Sequence, residues 1–237
     1  MDAVLFDLFE TLFTEWRGTA DRPPPRWGVP GAELGVDEQE FRQAWSALQS
    51  RRMTSPFSYV DALAEICRGL GHEPPMAAIC ELDALRCADK SSCFNPIDDE
   101  ILDMLTCVKR AGFRTAIVSN CSVEEVSAFE QSPLAALVDE VVWSFDVGVA
   151  KPDPAVFLMA CDRLGVAPAA CYFVGDGSFG ELDGAKAAGL VPLWASWYVN
   201  RWPERLAVPR RGAVVEAGHT ELARPSDLVR LIDRDGP

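Results

Sequence analysis

Several acidic or polar side chains stand where short apolar runs end. Asp7 closes AVLFD, Ser119 and Asn120 close RTAIVSN, Asp146 closes VVWSFD and Asp176 closes CYFVGD. Lys151 follows in GVAKPDP, and Glu181 lies shortly after Asp176. A carboxylate can attack an electron-poor centre, and a covalent intermediate on it splits one hard displacement into two easier ones. If the centre is a phosphorus with anionic oxygens, two negative groups must meet, so cations and hydrogen-bond donors have to surround them. Taken singly, an Asp at the end of a strand equally suits a turn or a helix cap. The chemistry depends on whether the chain brings these residues together.

The runs at residues 3–7, 114–120, 141–146, 171–176 and 190–195 have the length and apolar continuity of strands buried on both faces of a parallel sheet. Helical periodicity lies between them. Ile101, Leu102, Leu105 and Val108 share one face of Asp98–Ala111, with Pro96 in its first turn. Pro154–Leu164 and Glu181–Ala188 are similar, and Gly112, Gly165 and Gly189 sit where helices stop. A terminal helix is expected from Arg224 to Asp233, with Leu228, Leu231 and Ile232 docking on the sheet. Alternating strands and helices predict an α/β fold, a doubly wound Rossmann-like parallel sheet. Ligands of such sheets bind beyond the carboxyl ends of the strands, where the polar residues collect.

Residues 14–94 break the alternation. Thr19–Gly35, with RPPPRWGVPG, reads as a loop, and helical segments follow at about 37–52, 58–69 and 75–88. The expected organisation is a core of residues 1–13 and 95–237 with a helical cap, residues 14–94, inserted after the first strand.

The chain has 237 residues, 22 basic against 36 acidic, and a formal net charge of −14. Nucleic acid and anionic membranes attract basic surfaces, so neither is an expected partner. A small anionic substrate remains compatible, because local donors overrule the global field. No apolar run approaches the roughly 20 residues of a membrane span. The N-terminus MDAVLFDLFETLF lacks a basic region and carries Asp2, Asp7 and Glu10, unlike a secretory signal. Eight cysteines without a C-x-x-C pair, and only His72 and His219, argue against zinc. Reduced thiols in a cytoplasmic monomer or homodimer are expected.

Four signals in order resemble the haloacid dehalogenase superfamily, in its helical-cap class. Asp7-Leu8-Phe9-Glu10-Thr11-Leu12 is similar to that family's D-x-[DYA]-x-T-[LV] element. Ser119-Asn120 follows an apolar strand, Lys151 stands in Gly148–Pro154, and Val174-Gly175-Asp176-Gly177 precedes Glu181 and Gly184–Gly189. The resemblance implies a hydrolase with Asp7 as nucleophile and Ser119 and Lys151 as further catalytic residues. It implies substrate contacts from Thr11, Ser119, the Asn120 backbone and Lys151. It also implies Mg2+ held by the Asp7 carboxylate, the Phe9 backbone carbonyl and Asp176, with Glu181 as a supporting or through-water ligand. The substrate implied is a small phosphorylated metabolite, a phosphate monoester or an acyl phosphate.

Phe9 departs from the phosphatase pattern. Phosphatases of the family carry a second Asp there, which protonates the leaving oxygen and then activates water. Dehalogenases of the family carry an aromatic Tyr there, need no metal, and replace the Gly-Asp of the last motif with a Ser-Ser-Asn type. Gly175-Asp176 is the metal-binding form, so phosphoryl transfer is favoured over 2-haloacid dehalogenation. A protein that binds phosphate without turnover is a third reading. If an acid is supplied, Glu10, Glu15, Arg51 and Arg52 are candidates. Trp16, Arg17, Trp27, Arg51, Arg52 and Phe57 are expected to pack the cap, and Trp194, Trp197, Tyr198 and Trp202 to close the core.

Overall fold

The computed structural model describes residues 1–15, 25–202 and 218–235. Its six strands are β1 (Ala3–Phe6), β2 (Arg114–Ser119), β3 (Glu140–Trp143), β4 (Cys171–Gly175), β5 (Val191–Ala195) and β6 (Thr220–Leu222). They form one sheet in the order β3-β2-β1-β4-β5-β6, every pair parallel. Phe6 lies level with Ile117 of β2 and Val174 of β4. The chain builds outward from β1 on one side and then, from β4, on the other. A crevice opens at that reversal, beyond the ends of β1 and β4.

The strands are apolar on both faces because both are covered. The ten described helices are α1 (Gly31–Leu34), α2 (Glu38–Ala47), α3 (Gln49–Met53), α4 (Tyr59–Gly69), α5 (Met76–Ser91), α6 (Asp99–Arg110), α7 (Ser144–Val147), α8 (Pro154–Leu164), α9 (Glu181–Ala187) and α10 (Pro225–Asp235). Val4, Phe6, Ile117 and Val174 pack with Leu105 and Val108 of α6 and Leu228 and Ile232 of α10. Ala3, Leu5, Val118 and Phe173 face the other way, onto Phe157 and Ala160 of α8 and Leu182 and Ala185 of α9. Burying one such side chain contributes about 1.5–3 kcal/mol. Helix α8 starts as its residues dictate: Pro154 occupies the first turn and Asp153 accepts from Ala155 N–H at 2.9 Å.

Helices α1–α5 form the inserted cap over the carboxyl edge. They have a core of their own, including Leu34, Phe41, Tyr59, Leu63, Ile79 and Leu82. The cap meets the sheet side through ion pairs, all but Glu15 of whose members are buried or nearly so. Arg86 of α5 bonds Glu124 at 2.9 Å and Glu125 at 2.8 Å, while Lys90 bonds Glu15 at 2.5 Å and Glu125 at 3.2 Å.

Several expectations need correction. The expected helix at 37–52 is two helices, since Leu48 separates α2 from α3. Part of the expected loop is helical: Arg26–Gly28 makes a 3-10 turn and α1 follows, while Thr19–Pro24 lie outside the described residues. Pro96 precedes α6 rather than joining its first turn, and Asp98 takes the capping position. The run VVWSFD is not strand to its end. Strand β3 stops at Trp143, and Ser144–Val147 turn into α7, ending on Gly148 with φ of 74°. Asp146 is therefore an exposed helical residue. Strand β6 was not anticipated. All eight cysteines are free thiols, and no described helix is long and apolar enough to cross a membrane.

Candidate active site

Asp7 extends β1, its N–H donating to Val174 O at 2.9 Å. The chain then turns tightly, Leu12 N–H reaching Leu8 O at 2.9 Å. This returns the Thr11 hydroxyl to donate to Asp7 Oδ2 at 3.3 Å. Strand β4 delivers Asp176, whose carbonyl accepts from Trp194 Nε1 at 3.1 Å and whose Oδ1 accepts from Ser178 N–H at 2.8 Å. Glu181 opens α9. Its Oε1 accepts from Gly177 N–H at 3.0 Å and its Oε2 from Lys151 Nζ at 2.6 Å. The second hydrogen bond of the Lys151 ammonium goes to Asp7 Oδ1.

Two glycines make this possible. A Cβ on Gly175 would lie 2.3 Å from Glu181 Oε1, and one on Gly184 would lie 2.3 Å from Pro152 O. The first lets the Glu181 carboxylate settle against the strand end. The second lets α9 touch the loop that carries Lys151. Asn120, just past β2, holds that loop through the Lys151 backbone.

Asp7, Asp176 and Glu181 are buried, and one oxygen from each lies within 4.8 Å of the others. With all three carboxyls ionised, the one ammonium would leave two negative charges in excess. Burial drives the Asp7 and Glu181 carboxyls upward in pKa; Asp176 adds to both shifts, Asp7 adds to that of Glu181, and Lys151 opposes both. Burial acts to lower the Lys151 ammonium, but Asp7 and Glu181 outweigh it and raise it. An oxygen-only donor set with two uncompensated charges fits a hard divalent cation. A second observation points to a bound oxyanion. Ser119 Oγ is fully buried and has no hydrogen-bond partner among the described residues. An unmade hydrogen bond of this kind costs about 1–3 kcal/mol, which a ligand oxygen would recover.

A cavity of about 340 Å³ opens over these groups. Of the residues expected from sequence, Asp7, Phe9, Asn120, Lys151, Asp176 and Glu181 line it. Thr11 and Ser119 lie buried behind its wall. Glu10 and Glu15 also line it. Glu10 has φ of 58° and accepts from the Thr14 hydroxyl at 2.6 Å and Glu15 N–H at 2.8 Å, while burial pushes its carboxyl up to about 7. Arg51 and Arg52 do not line it: Arg51 pairs with Glu65 at 2.8 Å, and Arg52 stacks 3.5 Å over the Trp45 ring. Trp16 and Arg17 lie outside the described residues. Trp194, Trp197 and Tyr198 are buried, and Trp197 Nε1 donates to Thr11 O at 2.9 Å, so this cluster braces the site loops. Sequence reasoning missed Met53, Glu125, Ser178 and Phe179, and it placed Trp202 in the core, whereas Trp202 is half-buried and lines the cavity. The one local signal for any of them is the pair of glycines, Gly177 and Gly180, around Phe179.

A model of haloacid dehalogenase-like hydrolases matches residues 1–189. The glyceraldehyde 3-phosphate phosphatase of Methanopyrus kandleri is 28% identical over 235 residues, covering 97% of this chain and 96% of that protein. An (S)-2-haloacid dehalogenase of Pseudomonas sp. strain YL is 27% identical, with 87% of each chain covered. Among solved structures, a 2-haloacid dehalogenase of Pseudomonas syringae superposes with a TM-score of 0.65 at 21% identity, covering 100% of both chains. A phosphatase of Thermococcus onnurineus gives 0.63 at 20% identity, covering 98% of both. These structures share the fold, and proteins named for two different reactions stand among the relatives. With a family match over most of its length, a capped doubly wound sheet and a buried carboxylate cluster at the strand ends, the chain belongs to the haloacid dehalogenase-like hydrolases and is an enzyme.

Proposed function

We propose that the enzyme is a magnesium-dependent phosphatase acting on a small phosphorylated metabolite, a phosphate monoester or acyl phosphate, through a phospho-aspartyl intermediate on Asp7. The observation that carries this reading is Asp176. Dehalogenation has no use for a third buried carboxylate beside Asp7 and Glu181, whereas a divalent cation does. The cation would be Mg2+, held by Asp7, the Phe9 carbonyl and Asp176 with support from Glu181, and it would offset charge on the phosphoryl group. Asp7 attacks phosphorus from the end of β1, while Thr11 fixes its carboxylate. Lys151, the Ser119 hydroxyl and the Asn120 backbone donate to the transferring oxygens. Residues 14–94 act as the cap over a core of 1–13 and 95–237, excluding water during attack.

The names of relatives support this reading: a glyceraldehyde 3-phosphate phosphatase aligns over nearly the whole chain, and the phosphoglycolate phosphatase of Aquifex aeolicus is 30% identical over 56% of it. Phe9 favours a second reading, 2-haloacid dehalogenation with Asp7 esterified at carbon. Metal chelation separates the two. Chelator should abolish hydrolysis of aryl and acyl phosphates, added magnesium should restore it, and Asp7→Asn should lose both turnover and the beryllium fluoride adduct. Halide release from 2-chloropropionate that survives chelation, without phosphate release, would replace the first reading with the second.

A further inference from the structure

Phe179 is held unfavourably in two respects. The residue is 67% exposed although it is a large aromatic, and its φ of 54° lies in the left-handed region that side-chain-bearing residues avoid. It belongs to none of the buried clusters of the described residues. Gly177 and Gly180, with φ of 85° and 69°, flank it and hold the turn between Asp176 and Glu181. That turn directs Phe179 to the cavity, whose other apolar walls are Phe9, Met53 and Trp202. Sparsely populated backbone conformations persist where the surroundings enforce them, commonly at ligand sites.

Among the described residues, the charged side chains on this side of the cavity are acidic apart from Lys151. Glu10, Glu15 and Glu125 line it in addition to the buried carboxylate cluster. Lys151 is the one basic residue in the described lining, and its ammonium already bonds Asp7 and Glu181. Arg86 and Lys90 stand behind the wall, tied to Glu124, Glu125 and Glu15. A leaving group bearing a carboxylate or second phosphate would meet like charge here. A flat apolar leaving group would cover the Phe179 ring.

We propose that this wall selects the leaving group, with Phe179 as the specificity-determining contact: esters with a flat apolar leaving group lacking a second anionic charge are preferred, and carboxylate-bearing ones are disfavoured. This rests on the phosphatase reading, so the test separates the two. Phenylphosphonate and phosphonoacetate resist hydrolysis and share a phosphoryl mimic, but one carries a ring and the other a carboxylate. Their Kd values on the full chain with magnesium, each referred to inorganic phosphate on the same protein, isolate the leaving-group side. Phenylphosphonate should bind at least about tenfold more tightly. Phe179→Ala should erase most of that preference, and Phe179→Tyr should keep it. Equal affinities, a preference for phosphonoacetate, or a ratio unmoved by Phe179→Ala would overturn the inference while leaving the phosphatase reading in place. If neither phosphonate nor phosphate binds, the phosphatase reading fails and the inference falls with it.

Discussion

Asn120 holds the backbone of Lys151 on both of its hydrogen-bonding groups, its amide nitrogen donating to Lys151 O at 2.8 Å and its amide oxygen accepting from Lys151 N–H at 2.7 Å. The end of β2 is thereby fastened to the loop before α8, and the Lys151 ammonium is aimed at Asp7. The resemblance implies substrate contact by the Asn120 backbone, and the Asn120 side chain, committed to the Lys151 backbone, is compatible with that. Asn120→Ala should lower kcat by about 10²-fold, the scale of loss when a clamp shifts by an ångström. It should cost only about 1–3 kcal/mol of stability. Steady-state kinetics beside urea unfolding checks this; a kcat within twofold of the parent would remove the positioning role.

The Gly184 contact makes a sharper steric prediction. The added Cβ would meet Pro152 O at 2.3 Å, Pro152 C at 2.9 Å and Pro152 Cα at 3.0 Å, all backbone atoms with no rotamer to yield. Either α9 or the Lys151 loop must move. Gly184→Ala should therefore destabilise by about 1–3 kcal/mol despite alanine's better helix propensity. It should also depress kcat, because Glu181 and Lys151 sit on the two displaced elements. An unfolding midpoint at or above that of the parent would show that the packing there is looser than described.

Much of this site was legible because its signals are local. An apolar run buried on both sheet faces announces a parallel strand, and the residue after it then lies at the carboxyl edge by geometry alone. Asp7, Asn120 and Asp176 were placed that way. What stayed hidden depends on docking between distant elements. Strand β6 is three residues long and buries only Leu222, too little for a pattern. Asp146 looked like a strand end until Ser144, whose hydroxyl accepts from Cys121 N–H at 3.0 Å, turned the chain into α7. Glu125 carries no local mark of function, since its partners Arg86 and Lys90 belong to the cap.

That cap contact sets a pH dependence. Burial disfavours ionised Glu125, but Lys90 and Arg86 outweigh it and hold the carboxyl at about 2, below the ordinary 4.5. Between those values the folded chain binds fewer protons than the unfolded chain, so falling pH favours unfolding. The contribution is complete above pH 4.5, is lost as pH drops towards 2, and amounts to roughly 3 kcal/mol. Urea unfolding at pH 5 and pH 3 should show this slope, and Glu125→Gln should flatten it while lowering stability at both values by taking one carboxylate partner from each of two buried cations. An equally steep slope in the variant would assign the acid sensitivity to other carboxylates.

Phe9 lines the cavity two residues after Asp7, the proposed nucleophile, its ring edge-on to Phe13 at 5.3 Å and 5.6 Å from the Lys90 ammonium. A phenyl group transfers no proton, so esters with basic alkoxide leaving groups should react slowly and activated aryl or acyl phosphates faster. Phe9→Asp installs a proton-transfer group at that wall, and general acid assistance is typically worth about 10²–10⁴ in rate. The gain should fall on alkyl phosphates and nearly vanish for acyl phosphates, whose leaving carboxylate needs no proton. It should come with lower stability, since the Phe13 contact is lost and another carboxylate joins Asp7 and Asp176. The measurement is the ratio of kcat for an alkyl phosphate to that for acetyl phosphate in parent and variant. A rise of that ratio would identify leaving-group protonation as the missing step, whereas an unchanged ratio would mean that Phe9 is no handicap and that the slow step lies elsewhere, in cap motion or dephosphorylation of Asp7.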